Sequence, residues 1–436
     1  MTSIYDPTEP IYVDEAAVRA ELSRVFEICH ECQQCVTLCT SFPTLFEMID
    51  RHADHDPGRM TPADQDQVVD ECFYCKRCVI DCPYTPALDE RNVDFPRLML
   101  RADAMQFDTG IKSARVRSTT RIMGRTDRIG KFATRMSPLA NRVVGAEPGS
   151  FVRKVAQAAT GVSAVRMLPP FARQRFSTWF ANRPPVTLAE PQRTVALFAT
   201  CAVEYQEPAI GRDLVEVYER NGVRCELSGA RCCGAPLLHG GDVTGFREVA
   251  ERNVQTLAAD VRRGNDIVVP QPPCSFILKH DYADYVGDAG RPDAELVAAH
   301  TFDAAEYLLG LHVGADTTFD TAFTGEIPEQ ITYHAPSHLQ AQGIGAPARD
   351  LLALTGASIT EVERSAGVDG MWGWRHGNEA VALPVAGALG DRIEQAGGDL
   401  VAGDCHFANT VIVEQTGRVP RHPLQVLARA YGIDSD

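Results

Sequence analysis

Two cysteine quartets, CHECQQCVTLC at residues 29–39 and CFYCKRCVIDCP at residues 72–83, decide how this sequence folds. Both have the spacing Cys-x2-Cys-x2-Cys-x3-Cys, and Pro83 follows the last cysteine of the second quartet. Three thiolates that are two residues apart let a short loop wrap one cubane iron–sulfur cluster, while the fourth thiolate ligates the other cluster. The spacing therefore predicts two 4Fe-4S clusters.

In this crossed ligation, each cluster takes three cysteines from one quartet and the fourth from the other, which divides the eight cysteines into two sets of four. The first cluster is predicted on Cys29, Cys32, Cys35 and Cys82, and the second on Cys72, Cys75, Cys78 and Cys39. Structural zinc sites and a disulfide framework are the alternatives. Zinc motifs usually have two Cys-x2-Cys pairs separated by a dozen or more residues, without a third cysteine two residues on. A disulfide framework needs an oxidising compartment and normally a signal peptide.

The composition indicates a soluble cytoplasmic protein. A length of 436 residues suggests about three domains. The first 24 residues are polar and acidic, and no run approaches the ~18 apolar residues of a membrane span. Fourteen cysteines in such a chain indicate metal chemistry in a reducing compartment.

The charge is distributed very unevenly. The net charge is −16, yet residues 91–193 contain 19 Lys and Arg against 6 Asp and Glu. One interpretation of this basic segment is an amphipathic helical linker that pairs with the acidic parts or stays solvated. The other is a surface that docks on anionic lipid or on an acidic partner subunit. No nucleic-acid partner is expected.

The residues around the quartets have helical periodicity. Residues 14–28 carry apolar side chains at helical spacing, and so does the start of the 32-residue gap between the quartets. This gap is too long for a compact ferredoxin hairpin and favours an all-helical ferredoxin domain. A helix is expected to start at Pro96. Residues 107–192 predict several short helices and then a proline-rich linker, NRPPVTLAEPQR, with Trp179 and Phe180 as packing residues.

From residue 194 the pattern changes to alternating strands and helices. TVALFA (194–199), VRCEL (223–227) and DIVVP (266–270) read as strands, with amphipathic helices between them. This alternation predicts an α/β domain with a largely parallel sheet. Four cysteines fall just past the strand ends, where open α/β sheets bind ligands, and are expected to form a third site: Cys201, Cys232, Cys233 and Cys274. Cys225, inside a strand, reads as a core residue.

The α/β pattern then repeats. The segment that starts at QITYHAPSHL (330–339) aligns with the one that starts at TVALFATCAV (194–203), which indicates an internal duplication. At the four cysteine positions the second lobe has Ser337, Ser365, Ala366 and Cys405. Only Cys405 and the nearby His334, His338 and His406 could bind anything there, and we interpret that site as a structural remnant.

The predicted fold is therefore multidomain, with α and α/β parts. It comprises a helical ferredoxin domain with two 4Fe-4S motifs, a basic helical linker, a first Cys-Cys-Gly lobe and a second, degenerate lobe, at residues 1–100, 101–192, 193–328 and 329–436.

This combination resembles the heterodisulfide reductase-related iron–sulfur proteins. That group includes the glycolate oxidase iron–sulfur subunit, the C subunit of anaerobic glycerol-3-phosphate dehydrogenase and the lactate-utilisation iron–sulfur proteins. The resemblance spans nearly the whole chain and is specific at the two quartets and at RCCGAP (231–236). It implies an electron relay between a flavin-bearing dehydrogenase subunit and a quinone, disulfide or other acceptor.

The resemblance also bears on the third site. Disulfide-reducing members hold a non-cubane cluster on five cysteines, and this chain has Gln271 in place of the fifth. A four-ligand iron–sulfur cluster and a zinc ion both remain consistent with the other four thiols.

The leading hypothesis is thus an iron–sulfur electron-transfer subunit of a multi-subunit oxidoreductase. The sequence has no G-x-G-x-x-G loop and no Walker loop, so a flavin or nicotinamide is expected on a partner. One alternative is direct, heterodisulfide-reductase-like catalysis at the metal site of the first lobe. The other is a scaffold with structural zinc in the C-terminal lobes. The expected location is the cytoplasm, with membrane association at its inner face.

Overall fold

The structure is a computed structural model that describes residues 5–184 and 191–433. It confirms the predicted mixture of α and α/β structure, since helices dominate and the described strands form two small parallel sheets. No helix within the described ranges is long and apolar enough to cross a membrane.

The regular elements around the cysteine quartets are all helical. Asp14 caps the first helix by accepting a hydrogen bond from the amide of Ala17 at 2.8 Å. Pro96 lies in the first turn of the fourth helix, as predicted. The first helix does not stop before the quartet but continues through Cys29 and Cys32. The four α-helices are α1 (Glu15–Cys32), α2 (Ser41–Asp50), α3 (Pro62–Asp70) and α4 (Phe95–Thr109).

The basic segment folds into short helices, as predicted. Phe176 stacks on Trp179, with 5.7 Å between the ring centroids, so the tryptophan packs against the protein as expected. Residues 185–190, in the predicted proline-rich linker, lie outside the described ranges. The helices are α5 (Ala114–Met123), α6 (Thr126–Arg135), α7 (Ser137–Val144), α8 (Phe151–Thr160) and α9 (Phe176–Asn182).

A buried arginine fixes the basic segment to the C-terminal part of the chain. The Arg166 side chain is fully buried, and its Nη2 lies 2.8 Å from Glu414 Oε2. Its Nη1 also donates to the carbonyl oxygen of Gly373 at 3.1 Å. A buried charge needs such partners, because desolvation costs several kcal/mol for an unpaired ion. The segment is therefore packed against the lobes.

The first lobe contains a four-stranded parallel sheet in the order β2-β1-β3-β4. Cys225 is buried in β2, opposite Val195 of β1, and is a core residue as predicted. The strands are β1 (Arg193–Leu197), β2 (Val223–Leu227), β3 (Asp266–Val269) and β4 (Thr301–Asp303). The helices are α10 (Cys201–Tyr205), α11 (Pro208–Arg220), α12 (Ala235–Leu238), α13 (Val243–Arg262), α14 (Pro272–Phe276), α15 (Tyr282–Tyr285), α16 (Arg291–Ala299) and α17 (Ala304–Val313).

The second lobe has a three-stranded parallel sheet in the order β6-β5-β7. This order matches β2-β1-β3 of the first lobe and is what an internal repeat predicts. The strands are β5 (Gln330–His334), β6 (Ser358–Val362) and β7 (Leu400–Gly403). The helices are α18 (Ser337–Gln340), α19 (Pro347–Ala353), α20 (Glu379–Ala396), α21 (His406–Thr416) and α22 (Pro423–Ala430).

The two lobes share one hydrophobic core. Val195 of β1 and Ile331 of β5 belong to the same cluster of buried side chains. At the ends of the strands, Gln271 Oε1 accepts a hydrogen bond from the amide of His406 at 2.9 Å. The carboxyl end of β3 is thereby joined to the corresponding end of β7.

Candidate metal centres

The structure brings together the four cysteines that crossed ligation assigns to the first cluster. Cys29 and Cys32 lie in the last turn of α1, Cys35 lies in the turn that follows, and Cys82 comes from the second quartet. All four line one cavity beside Phe42, and Cys78 of the second quartet lines it as well. The cavity is thus bordered by five thiols from two distant stretches of the chain.

A second cavity collects the other four cysteines. Cys72, Cys75 and Cys78 line it, and Cys39 of the first quartet joins them. The second cavity therefore takes three thiols from its own quartet and Cys39 from the other, while the first is lined by three thiols of its own quartet and by both Cys78 and Cys82 of the other. Cys39 and Cys82 thus lie beside the quartet to which crossed ligation assigns them, and Cys78 borders both cavities.

The thiols around both cavities are chemically suited to a cationic group. Burial raises the pKa of Cys35 to about 12 and that of Cys39 to about 11. Burial also raises the pKa of Cys29 and Cys72. A thiolate is the metal-binding form, so it needs a nearby positive charge to compensate for lost hydration. The iron atoms of a cluster would supply that charge.

The loop between Cys72 and Cys78 has an unusual backbone. Tyr74 and Lys76 both have left-handed φ angles, +56° and +65°. Such angles are uncommon for residues other than glycine and need support from their surroundings. They turn the chain at alternate residues so that the cysteines line the same cavity.

The third group of thiols lies at the carboxyl edge of the first sheet, as predicted. Cys201 is the first residue of α10, Cys232 and Cys233 lie between β2 and α12, and Cys274 lies in α14. The Cys233 and Cys274 sulfurs are 3.3 Å apart. The pKa of Cys232 lies well below its ordinary value because the Cys201 and Cys233 thiols donate to its sulfur. The four sulfurs form a contiguous row.

No three of these four sulfurs lie within 4.8 Å of one another. A zinc ion with four thiolates at ~2.3 Å places the sulfurs about 3.8 Å from one another. Within the described residues, three potential ligand atoms lie mutually within 4.8 Å only at His30, Asp50 and His55. In that group, both histidines simply contact Asp50 Oδ1 at 2.9 Å. The four thiols are therefore not grouped as tightly as the ligands of a tetrahedral zinc ion.

Residues from distant segments hold the backbone of the Cys232-Cys233 pair. Asn253 donates to the carbonyl oxygen of Cys232 at 3.1 Å, and the Tyr282 hydroxyl donates to that of Cys233 at 3.0 Å. Asp127 of α6 accepts a hydrogen bond from the Cys232 amide at 3.3 Å. The sequence alone did not indicate these three residues, because nothing in their local pattern predicts a contact with a cysteine that lies 21 to 105 positions away in the chain.

The second lobe offers few donors at the corresponding place. Ser337, Ser365, Ala366 and Cys405 are all buried. His334 Nε2 lies 2.8 Å from the carbonyl oxygen of Arg364, and His338 Nδ1 lies 2.9 Å from Asp369 Oδ1. Burial lowers the pKa of His334 and of His406, to about 4 for the latter. The lowered pKa values keep the buried rings of His334 and His406 neutral near pH 7.

The second quartet lies directly against the third group of thiols. The Tyr74 ring stacks on His239, just after α12, with 4.9 Å between the centroids. Lys76 is buried, and its Nζ lies 4.6 Å from the ring centroid of Phe276, in the same short helix as Cys274. The loop of the second quartet therefore contacts α14, which carries Cys274, and the end of α12, which follows Cys232 and Cys233 in the chain.

Comparison with known proteins gives the first lobe a family. Residues 195–279 match the model of the cysteine-rich domain named CCG. The C subunit of the anaerobic glycerol-3-phosphate dehydrogenase of Escherichia coli (strain K12) is 27% identical over 314 residues, 71% of this chain and 76% of the relative.

Two other relatives cover less of the chain. The B subunit of the fumarate reductase (CoM/CoB) of Methanothermobacter marburgensis is 26% identical over 255 residues, 56% of this chain and 48% of the relative. Lactate utilization protein A of Exiguobacterium sp. is 27% identical over 246 residues, 53% of this chain and 94% of the relative. The resemblance seen in the sequence is confirmed, and these homologues support iron–sulfur clusters in this chain.

The glycine of the Cys-Cys-Gly motif generates a stability prediction. Gly234 has a φ of +90°, and a Cβ atom there would lie 2.8 Å from the Phe246 ring. Gly234→Ala is expected to lower the free energy of unfolding by about 1–3 kcal/mol through strain and overpacking. Gly229→Ala, in the same loop, is the matched control because its Cβ would meet only Thr256, at 3.5 Å. Chemical unfolding curves measure both variants, and equal midpoints would contradict the prediction.

Proposed function

We propose that this chain relays electrons between a flavoprotein dehydrogenase partner and a quinone, disulfide or other acceptor. The premise is that it has a CCG cysteine-rich domain and homologues that are subunits of dehydrogenase and reductase complexes. The observation that carries the proposal is the contact of the Tyr74 and Lys76 loop with His239 and Phe276. This contact makes the two quartets and the third group of thiols one continuous series.

The proposed cofactors are two 4Fe-4S clusters and a third iron–sulfur cluster in the first lobe. When bound, such clusters accept and release single electrons, and the protein sets their potentials through burial and hydrogen bonds. The support for the first two is the cysteine composition of the two cavities. The proposed ligands are Cys29, Cys32, Cys35 and Cys82, then Cys72, Cys75, Cys78 and Cys39, then Cys201, Cys232, Cys233 and Cys274.

Paired substitutions test the crossed ligation. The Cys29→Ala/Cys39→Ala variant removes one proposed ligand from each cubane and is expected to lose about eight irons per chain. The Cys29→Ala/Cys82→Ala variant removes two ligands of the same cubane and is expected to lose about four. Iron and acid-labile sulfide are measured on anaerobically purified protein.

The control for this experiment is Cys225→Ala, which removes a buried thiol outside the three groups and should leave the iron content unchanged. If each quartet held its own cluster, the two paired variants would exchange their results. That outcome would contradict crossed ligation without affecting the number of clusters.

The electron donor is proposed to be a flavoprotein subunit. Homologues belong to multi-subunit complexes, and the sequence has no dinucleotide-binding loop of its own. Anaerobic affinity purification from the native host is expected to recover a flavoprotein. Its substrate should then bleach the visible absorbance of the clusters in the complex. A complex that lacks flavin, or clusters that stay oxidised when the flavin is reduced, would contradict the proposal.

The basic segment is proposed to dock on an anionic membrane surface, at the cytoplasmic inner face. Helices α6, α7 and α8 pack in series and expose a set of large apolar side chains, which we call the apolar patch: Ile129, Phe132, Met136, Leu139, Phe151 and Val155. Phe132 and Phe151 are 71% and 80% exposed. Basic side chains alternate with them along the same helices: Arg128, Lys131, Arg135, Arg142 and Lys154. Amphipathic helices with this composition lie in the interface of anionic membranes.

The apolar patch generates a binding prediction. Phe132→Glu is expected to reduce binding to vesicles that contain phosphatidylglycerol by about tenfold or more, because the variant no longer buries an aromatic side chain. Added salt should weaken the binding of the unaltered protein. Co-sedimentation measures both effects. Leu88→Glu is the control, since Leu88 is 73% exposed but lies outside the basic segment. An equal loss with both variants would contradict docking through this patch.

A further inference from the structure

A cavity of about 190 Å³ lies between the basic segment and the third group of thiols. Ile122 and Ile129 of α5 and α6 line one side, Trp374 of the second lobe lines another, and Cys201 of the first lobe also contributes to the wall. None of the described residues that line it is charged. The cavity therefore suits an uncharged, largely apolar ligand.

Besides the Thr126 hydroxyl, which lies against the Cys232 sulfur, two polar atoms of the lining residues have no hydrogen-bond partner among the described residues. Trp374 is 3% exposed, and its Nε1–H has no acceptor. Gln206 Oε1 is buried and has no donor. Buried polar atoms of this kind cost free energy unless something satisfies them. A ligand with a carbonyl oxygen for Trp374 and, in its reduced form, a hydroxyl for Gln206 would satisfy both atoms.

The mouth of the cavity leads to the apolar patch. Ile129 lines the cavity and is also 40% exposed. Phe132 and Met136 follow it at helical spacing along and just past α6, and both are exposed. Residues three and seven positions apart on a helix share one face. An apolar stripe therefore runs from the cavity to the surface that we propose for membrane docking.

We propose that this cavity binds the ring of a membrane quinone. The proposal rests on the proposed function and names its acceptor. A volume of about 190 Å³ is below the ~300–1,000 Å³ that drug-sized ligands occupy. A headgroup of one or two rings fits, and its isoprenoid tail leaves along the apolar stripe. A thiol or disulfide substrate with charged groups has no partner in the described walls.

The reduction of the quinone is balanced by the oxidation of the flavin on the proposed dehydrogenase partner. Two electrons from the reduced flavin of the dehydrogenase partner would reach the ring one at a time, through the clusters that the cysteine groups would hold. Two protons are added, one to each carbonyl oxygen, so that the quinone becomes a quinol and the flavin is oxidised. Cys201 in the cavity wall places the third group of thiols next to the acceptor.

Quinone binding to the oxidised, full-length protein tests the inference without turnover. Isothermal titration calorimetry with decylubiquinone and with menadione is expected to show saturable binding at one site for at least one of the two. Trp374→Phe, which keeps an aromatic ring but removes the N–H donor, should weaken binding about three- to tenfold. Trp179→Phe, in α9 and outside the cavity, should leave affinity unchanged.

A second variant covers the case in which Trp374→Phe fails to fold. Ile129→Trp fills the partly exposed mouth and should also weaken binding, while Leu88→Glu, at an exposed position outside the cavity and the basic segment, should leave the affinity for both quinones unchanged. Absence of saturable binding, or equal affinity in all variants, would overturn the quinone site. If a dehydrogenase still reduced the clusters in that case, the relay would stand and only its acceptor would be wrong.

Discussion

The contact between the loop at residues 72–78 and the first lobe is the interaction on which the rest of this structure depends. Tyr74 and Lys76 adopt left-handed backbone angles and are held there by His239 and Phe276. This packing places the second cavity against the elements that carry the third group of thiols. Burial lowers the pKa of His239 well below its ordinary value, so a neutral ring fills the contact. The contact thereby joins the second quartet to the first lobe, together with the Arg97 hydrogen bond to the carbonyl oxygen of His280.

Contacts on two sides explain how the basic segment fits into the molecule. On its inner side, Arg166 is buried against Glu414, and Asp127 accepts a hydrogen bond from the Cys232 amide. On its outer side, Phe132 and Phe151 stay exposed among basic residues. One short run of helices thus completes the surroundings of the third group and presents an amphipathic surface. The proposed electron path and the proposed membrane surface meet in this segment.

The sequence predicted the elements whose chemistry is local. Cysteine spacing predicted two groups of thiols, and the structure lines two cavities with them, with Cys78 bordering both. Strand–helix alternation located Cys201 and its partners beyond the strand ends. It could not predict contacts that depend on packing between distant segments. Asp127 looks like one acidic residue in a basic run, and Trp374 looks like an ordinary aromatic residue. Their roles appear only when α6, the first lobe and the second lobe pack together.

Gln271, where this chain departs from the family pattern, has a structural role of its own. Where relatives that reduce disulfides are expected to have a thiol, this chain has an amide whose oxygen accepts from the His406 backbone. The position joins the lobes, and four thiols remain in the third group. Iron and acid-labile sulfide analysis of the anaerobically purified protein, with electron paramagnetic resonance after reduction, tests the central claim most directly. The account predicts about eight irons with matching sulfide for the two cubanes, further iron for the third group, and signals from interacting reduced clusters. Bound zinc without labile sulfide would contradict it.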